Sequence, residues 1–187
     1  MEITKKSKYF ENLIKTIISN SCASNWEEAV EEWDIVDCKE SIDNESECIC
    51  GKENIKYLFE IKNNKNNKSL RPIGSSCIEK FNRNDLNDLT KVNEKMFKLL
   101  HAVEKNTYIT ISSEFFSRKL LKFLLDEGAF TENKYNKFNT ENDYKFLKDM
   151  FNKSGKGISS LEKKKIDALI VAAIKPFLKQ KLKDKII

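Results

Sequence analysis

Apolar residues recur at Tyr9, Phe10, Leu13, Ile14, Ile17 and Ile18, the i, i+3, i+4 stripe of an amphipathic helix over Ser7 to Ser19. A second, short helix is expected from Ser24. There Ser24-Asn-Trp-Glu27 fits a capping box, and Trp26, Ala29, Val30 and Trp33 fall on one face. Both tryptophans read as core, and Asp37 to Ser46, charged and polar, reads as a loop. Ile55 to Ile61 is rich in β-branched and aromatic residues and predicts a strand. The polar Lys62 to Lys68 predicts a turn, and Leu70 to Ile73 a returning strand that Pro72 confines to an edge. Gly74-Ser-Ser then lets the backbone approach a ligand or turn tightly into a helix whose first turns are Cys77 to Phe81.

The rest of the chain is helical in pattern. Leu89, Val92, Met96, Leu99, Leu100 and Val103 form the stripe of a helix from Asp88 to Glu104. Tyr108 to Ile111 fits a short strand or an extended connector. Ser113 to Asp126 is apolar nearly all round, which predicts a helix buried on more than one side and stopped by Gly128. Asp143 to Phe151 is a further helix, broken by Ser154-Gly-Lys-Gly157. Ser159 or Ser160 caps a last helix to about Leu178, which Pro176 kinks or ends. There is no internal repeat.

Composition supports this reading. The 187 residues hold only five Gly and two Pro, few breakers for a helical chain. They are 40% apolar and 34% charged, the balance of a globular chain with a core rather than a disordered one. No secretory apolar run opens the sequence and no stretch approaches a membrane span, so the expected compartment is the cytoplasm. Net charge is +5, but residues 151–187 carry ten Lys against Glu162, Asp167 and Asp184, leaving the first 150 residues mildly acidic. Lys163, Lys164, Lys165, Lys175 and Lys179 of the last helix are therefore the candidates for contacting a nucleic acid or an acidic partner. A solvated lysine face explains them equally simply. Arginines number only three (Arg71, Arg83 and Arg118), which argues against bidentate reading of phosphates or bases.

Five cysteines occur, at 22, 38, 48, 50 and 77. In a reducing compartment structural disulfides are rare. Cys48-Ile-Cys50-Gly51 can offer two sulfurs from one tight turn. A hairpin returns the chain, and Cys77 at a helix start offers a third, where the helix dipole favours a thiolate. Knuckle, hairpin and helix in that order assemble a treble-clef-like zinc site. Cys38, ten positions before Cys48, is the candidate fourth ligand. The lone His101 is the runner-up, and Cys22 reads as a small buried apolar residue. The predicted fold is thus α+β and mainly helical: N-terminal helices over 1–36, a zinc-knuckle and hairpin module over 37–87, and a helical lobe over 88–187 ending in a basic helix.

No phosphate-binding loop, dinucleotide fingerprint or nucleophile elbow is present, and a triad would have to use His101 with nothing nearby in sequence to orient it. Glu141 and Asp143 lie close together, but Asn-Asp before a helix reads as its cap. No enzyme is expected. Tyr135-Asn-Lys-Phe138 and Tyr144-Lys-Phe146 interleave aromatics with lysine. That pattern suits stacking on bases, although packing of the helical lobe is the simpler expectation.

Cys48-Ile-Cys-Gly, Ile55 to Asn63, and Pro72-Ile-Gly-Ser-Ser-Cys-Ile-Glu-Lys-Phe81 resemble a zinc-knuckle module of small proteins encoded by phages, plasmids and large DNA viruses. Phe116 to Leu121, Glu127-Gly-Ala-Phe130, Tyr135-Asn136, Asp143-Tyr144, Met150 to Lys153 and Ile174 to Leu178 are similar to the same group, so the resemblance spans about residues 24–178. That group carries a Gln near the start of the last helix, where this chain has Glu162. The resemblance implies a zinc-stabilised, non-enzymatic module. Its implied partner is a host protein or nucleoprotein complex, such as a CRISPR-type defence nuclease. RNA or DNA is an alternative partner, and no membrane is implied.

Overall fold

The computed structural model describes residues 8–105, 107–153 and 157–187. The architecture is mainly helical α+β with one three-stranded antiparallel sheet. The chain divides into two compact units, one up to Thr90 together with Asp184–Ile187, the other Lys91–Lys183.

In the first unit, helix α1 (Lys8–Asn20) buries Leu13 and Ile17. Helix α2 (Trp26–Ala29) starts one residue later than the capping-box reading, because Asn25 is the cap and its side chain accepts from the Glu28 amide at 2.9 Å. A 3-10 turn, Val30–Glu32, leads into strand β1 (Trp33–Glu40), followed by β2 (Tyr57–Asn63) and β3 (Ser69–Ile73) in the order β1-β2-β3. Strand β1 corrects the loop expected from Asp37. Its charged residues occupy an edge strand, where one face meets water, and a bulge at Val36 breaks the alternation that would have marked it. Pro72 lies in β3 at the opposite edge, as its missing N–H requires. On β2, Phe59 and Ile61 point into the core with Trp33, Ile73, Ile78 and Phe81. Trp26 is half-buried instead, set edge-on to Phe10 and Phe81.

Glu32 is buried in this unit. Its carboxylate accepts from Asn63 Nδ2 at 2.7 Å and from the Cys22 and Ala23 amides at 2.8 and 2.9 Å, with Lys65 Nζ at 3.4 Å. Cys22, expected inside, is exposed; it serves this carboxylate through its backbone and not its sulfur. The chain's last residues return to the same unit. Glu40 and Ile42 donate backbone hydrogen bonds to Lys185 and Ile187, and Ile187 donates to Glu40.

Helix α3 (Ser75–Ile78) follows the sheet, and α4 (Asn84–Glu104) continues into the second unit. There α5 (Arg118–Asp126) begins later than predicted. Ser117 caps it, accepting from the Leu120 amide at 3.1 Å, and Phe115 and Phe116 are buried in the turn before it. After α5 the Ala129 and Gly128 amides bond back to Leu124 and Leu125. Helix α6 (Thr140–Asn152) is capped by Asn139. Asp143, expected to cap, lies inside α6, buried and bonded to Asn136 Nδ2 at 2.8 Å. Tyr135 and Phe138 do not pack the lobe: they are 80% and 68% exposed, because the turn folds around the buried side chain of Asn136. Of Ser154-Gly-Lys-Gly157, only Gly157 is among the described residues. Helix α7 (Ser160–Leu169) runs through a π turn, Ile170–Ile174, into α8 (Lys175–Lys181). Pro176 therefore does not end the helix. The widened turn before it accommodates the missing N–H.

Candidate metal centre

The knuckle is a tight turn. The Gly51 amide donates to Cys48 O at 2.7 Å and the Cys48 amide to Lys52 O at 2.9 Å. Gly51 has φ +87°, a conformation that side-chain-bearing residues rarely adopt. The Ile49 amide donates to Pro72 O at 2.9 Å, so β3 holds the knuckle. From α1, Asn12 Nδ2 donates to Cys50 O at 3.1 Å.

The third cysteine comes from the other end of the hairpin. The Cys77 amide donates to Gly74 O at 2.9 Å, opening α3. Gly74 also sits where a Cβ would meet Ile55 Cγ2 at 3.3 Å, so its small size allows the close approach. Its amide points at Cys48 Sγ, 3.3 Å away. The sulfurs of Cys48, Cys50 and Cys77 all lie within 4.8 Å of one another, and Cys48 and Cys77 are 3.6 Å apart as free thiols. A tetrahedral ion with metal–sulfur bonds of 2.3 Å separates its sulfurs by about 3.8 Å. The side chains present therefore fit a metal ion. All three residues are buried, at 3%, 1% and 8% exposure.

Electrostatics favour the same use. The Cys77 thiol and the Cys50 and Gly74 amides donate toward Cys48 and hold its pKa down at about 5. Cys77 is pushed up, first by its bond to Cys48 and then by burial. Cys50 is pushed up, chiefly by burial. One thiolate is accommodated, while a second and third at this spacing need a cation between them.

Cys38, the expected fourth ligand, is buried in β1 opposite Phe59. Neither it nor the half-buried His101 on α4 belongs to the group of three. Among the described residues no other Cys, His, Asp or Glu joins it. Asn12 is a supporting group that sequence reasoning missed, whereas Gly74 makes a close backbone approach of the kind expected there.

The five candidate lysines lie in the second unit and do not form one free face. Lys163, Lys164 and Lys179 are exposed. Lys165 is 3.7 Å from Asp143 and 4.4 Å above the Phe146 ring. Lys175 Nζ donates to Val103 O at 3.3 Å. Among the described residues no helix is long and apolar enough to cross a membrane. No protein-family model, curated protein or solved structure matches this chain.

Proposed function

We propose that Cys48, Cys50 and Cys77 hold a zinc ion that fixes the hairpin onto the start of α3, and that the chain acts in the cytoplasm by binding a macromolecular partner, with no reaction at the metal. The observation that carries this is the buried trio of sulfurs within 4.8 Å. Zinc is the metal because three soft thiolates suit it and hard-ion ligands do not join the set. When bound, the ion supplies the positive charge that lets three thiolates coexist. The protein's own residues hold the three sulfurs in place, through Asn12 on the knuckle and the Gly74 amide on Cys48, and fill three of the four positions of a tetrahedral ion.

The likeness to mobile-element zinc-knuckle proteins supports a host protein or nucleoprotein complex as the partner, a CRISPR-type nuclease being the kind of target it implies. Exposed Lys163, Lys164 and Lys179 support a second reading, direct binding of RNA or DNA. The test has two parts. Cys48→Ser and Cys77→Ser are compared with the native chain by thermal melting, with and without a chelator. Both variants should melt lower and lose sensitivity to the chelator, and variants as stable as the native chain would sink the zinc claim. Binding to a purified host nuclease complex and to plain duplex DNA is then titrated against salt. Salt-tolerant 1:1 capture of the complex supports the first reading, and a steep salt slope on DNA supports the second.

A further inference from the structure

In the second unit, the segment from Tyr108 to Ile111 has the burial pattern of a strand without a strand partner. Tyr108 and Thr110 are exposed, while Ile109 and Ile111 are buried. Among the described residues, the amides of Tyr108, Ile109, Thr110 and Ile111 make no backbone hydrogen bond. The bonds that bracket them are Thr107 to Ala102 at 3.0 Å and Ser112 to Thr110 at 2.8 Å. Successive amides of an extended segment point to opposite edges, so one edge of this Tyr-Ile-Thr-Ile sequence of high β propensity offers alternate donors, and the extended stretch ends at Thr110, whose carbonyl accepts from Ser112.

This segment walls two adjoining cavities of about 370 and 310 Å³ that share Tyr108, Ile109 and Asp167. The opposite wall is one face of α7 and the π turn: Ile166 and Ile170 make its floor, and Val171, 63% exposed, its lip. Tyr108, 70% exposed, stands over the other side. The charged groups lining the groove are Lys163 at one end, Lys175 at the other and Asp167 between them. Twelve residues of helix separate the two lysines, roughly 18 Å, which an extended strand covers in five or six residues.

We propose that this groove binds an extended peptide segment of a partner protein by strand addition along Tyr108–Ile111. The segment is acidic at both ends and apolar at alternate positions between. Strand parity puts residues 1, 3, 5 and 7 of such a heptapeptide on the groove side. Acids at 1 and 7 meet Lys163 and Lys175, and apolar side chains at 3 and 5 fill the two cavities. Asp167 disfavours an acid at the middle. The inference rests on the binding-protein reading above and names the chemistry of the partner.

The test uses the full chain and a library of labelled heptapeptides, acidic at both ends, with Val, Ile, Leu or Phe at positions 3 and 5 and Thr elsewhere. Binding is read by fluorescence anisotropy. The acid-ended set should bind at least tenfold tighter than the same peptides ended in lysine. It should also lose at least tenfold on N-methylation of alternate backbone amides. Lys163→Glu should remove most of the preference for acids, and Val171→Asp should weaken all members tenfold, both with an unchanged melting temperature because these side chains are exposed. Three results overturn the proposal: no binding by any member, equal binding of acid- and lysine-ended sets, or a dimer of this chain that Val171→Asp dissolves. A chain that holds zinc but binds no heptapeptide removes this inference and leaves the zinc reading standing. A chain without zinc that binds the acidic set does the reverse.

Discussion

Glu32 has lost its water, and three hydrogen-bond donors and the Lys65 ammonium stand in for it. The bond from Asn63 is the largest influence, and together these groups bring its pKa from 4.5 to about 2. A depressed carboxylate pKa means that the folded state binds the proton less well than the unfolded state. Glu32 therefore contributes stability that is complete above pH 4.5 and lost as pH falls toward 2. Urea midpoints measured across that window should drop in the native chain, and Glu32→Gln should flatten its share of the slope. Gly51 makes a second prediction at this scale. With φ +87° in the knuckle turn, Gly51→Ala should cost about 1 kcal/mol, read as a lower urea midpoint. Cys38 makes a third. It lies outside the sulfur group, so Cys38→Ser should leave metal content unchanged, whereas Cys50→Ser should lower it. The clustering of Cys48, Cys50 and Cys77 was legible because it needs little context: here the hairpin between them brings a Cys-x-Cys-Gly turn to a helix-start cysteine. Glu32 was not legible, since a lone acid in a charged stretch looks like surface until Asn63 is placed beside it.

Periodicity gave the elements where one face is apolar and lost them where the surroundings differ. Helices α1 and α4 and the β2–β3 hairpin follow their stripes closely. Strand β1 was hidden by a bulge and a wet face, and by partners at residues 57–63 and 185–187 that a local window cannot see. Deleting residues 184–187 removes two backbone hydrogen bonds from Glu40 at the end of β1, a third from Ile42 beyond it, and the Lys185–Asp37 pair, at 2.5 Å. The loss should be about 2 kcal/mol, given roughly 0.5–1.5 kcal/mol for each bond. The start of α7 shows the opposite case, a local signal that worked. Ser159 accepts from the Glu162 amide at 3.3 Å while Glu162 accepts from the Ser159 amide at 2.8 Å. Glu162 thus has a capping task. Ser159→Ala should cost about 1 kcal/mol of helix stability, measured by thermal melting of the ellipticity.

For the whole molecule, the small sheet has a limited core and several buried polar groups, so the proposed metal, joining the knuckle, β3 and α3, would do what additional apolar burial does in a larger domain. The predominance of helix and the place of the hairpin were readable because they depend on short-range pattern. That residues 184–187 belong with the first unit was not, because their partners lie in a sheet some 150 positions earlier. Metal stoichiometry of the purified full chain by mass spectrometry of the elements, repeated on Cys77→Ser, bears most directly on the account. It predicts one zinc per native chain and far less in the variant. A native chain free of zinc, or a variant that keeps the full complement, would contradict it.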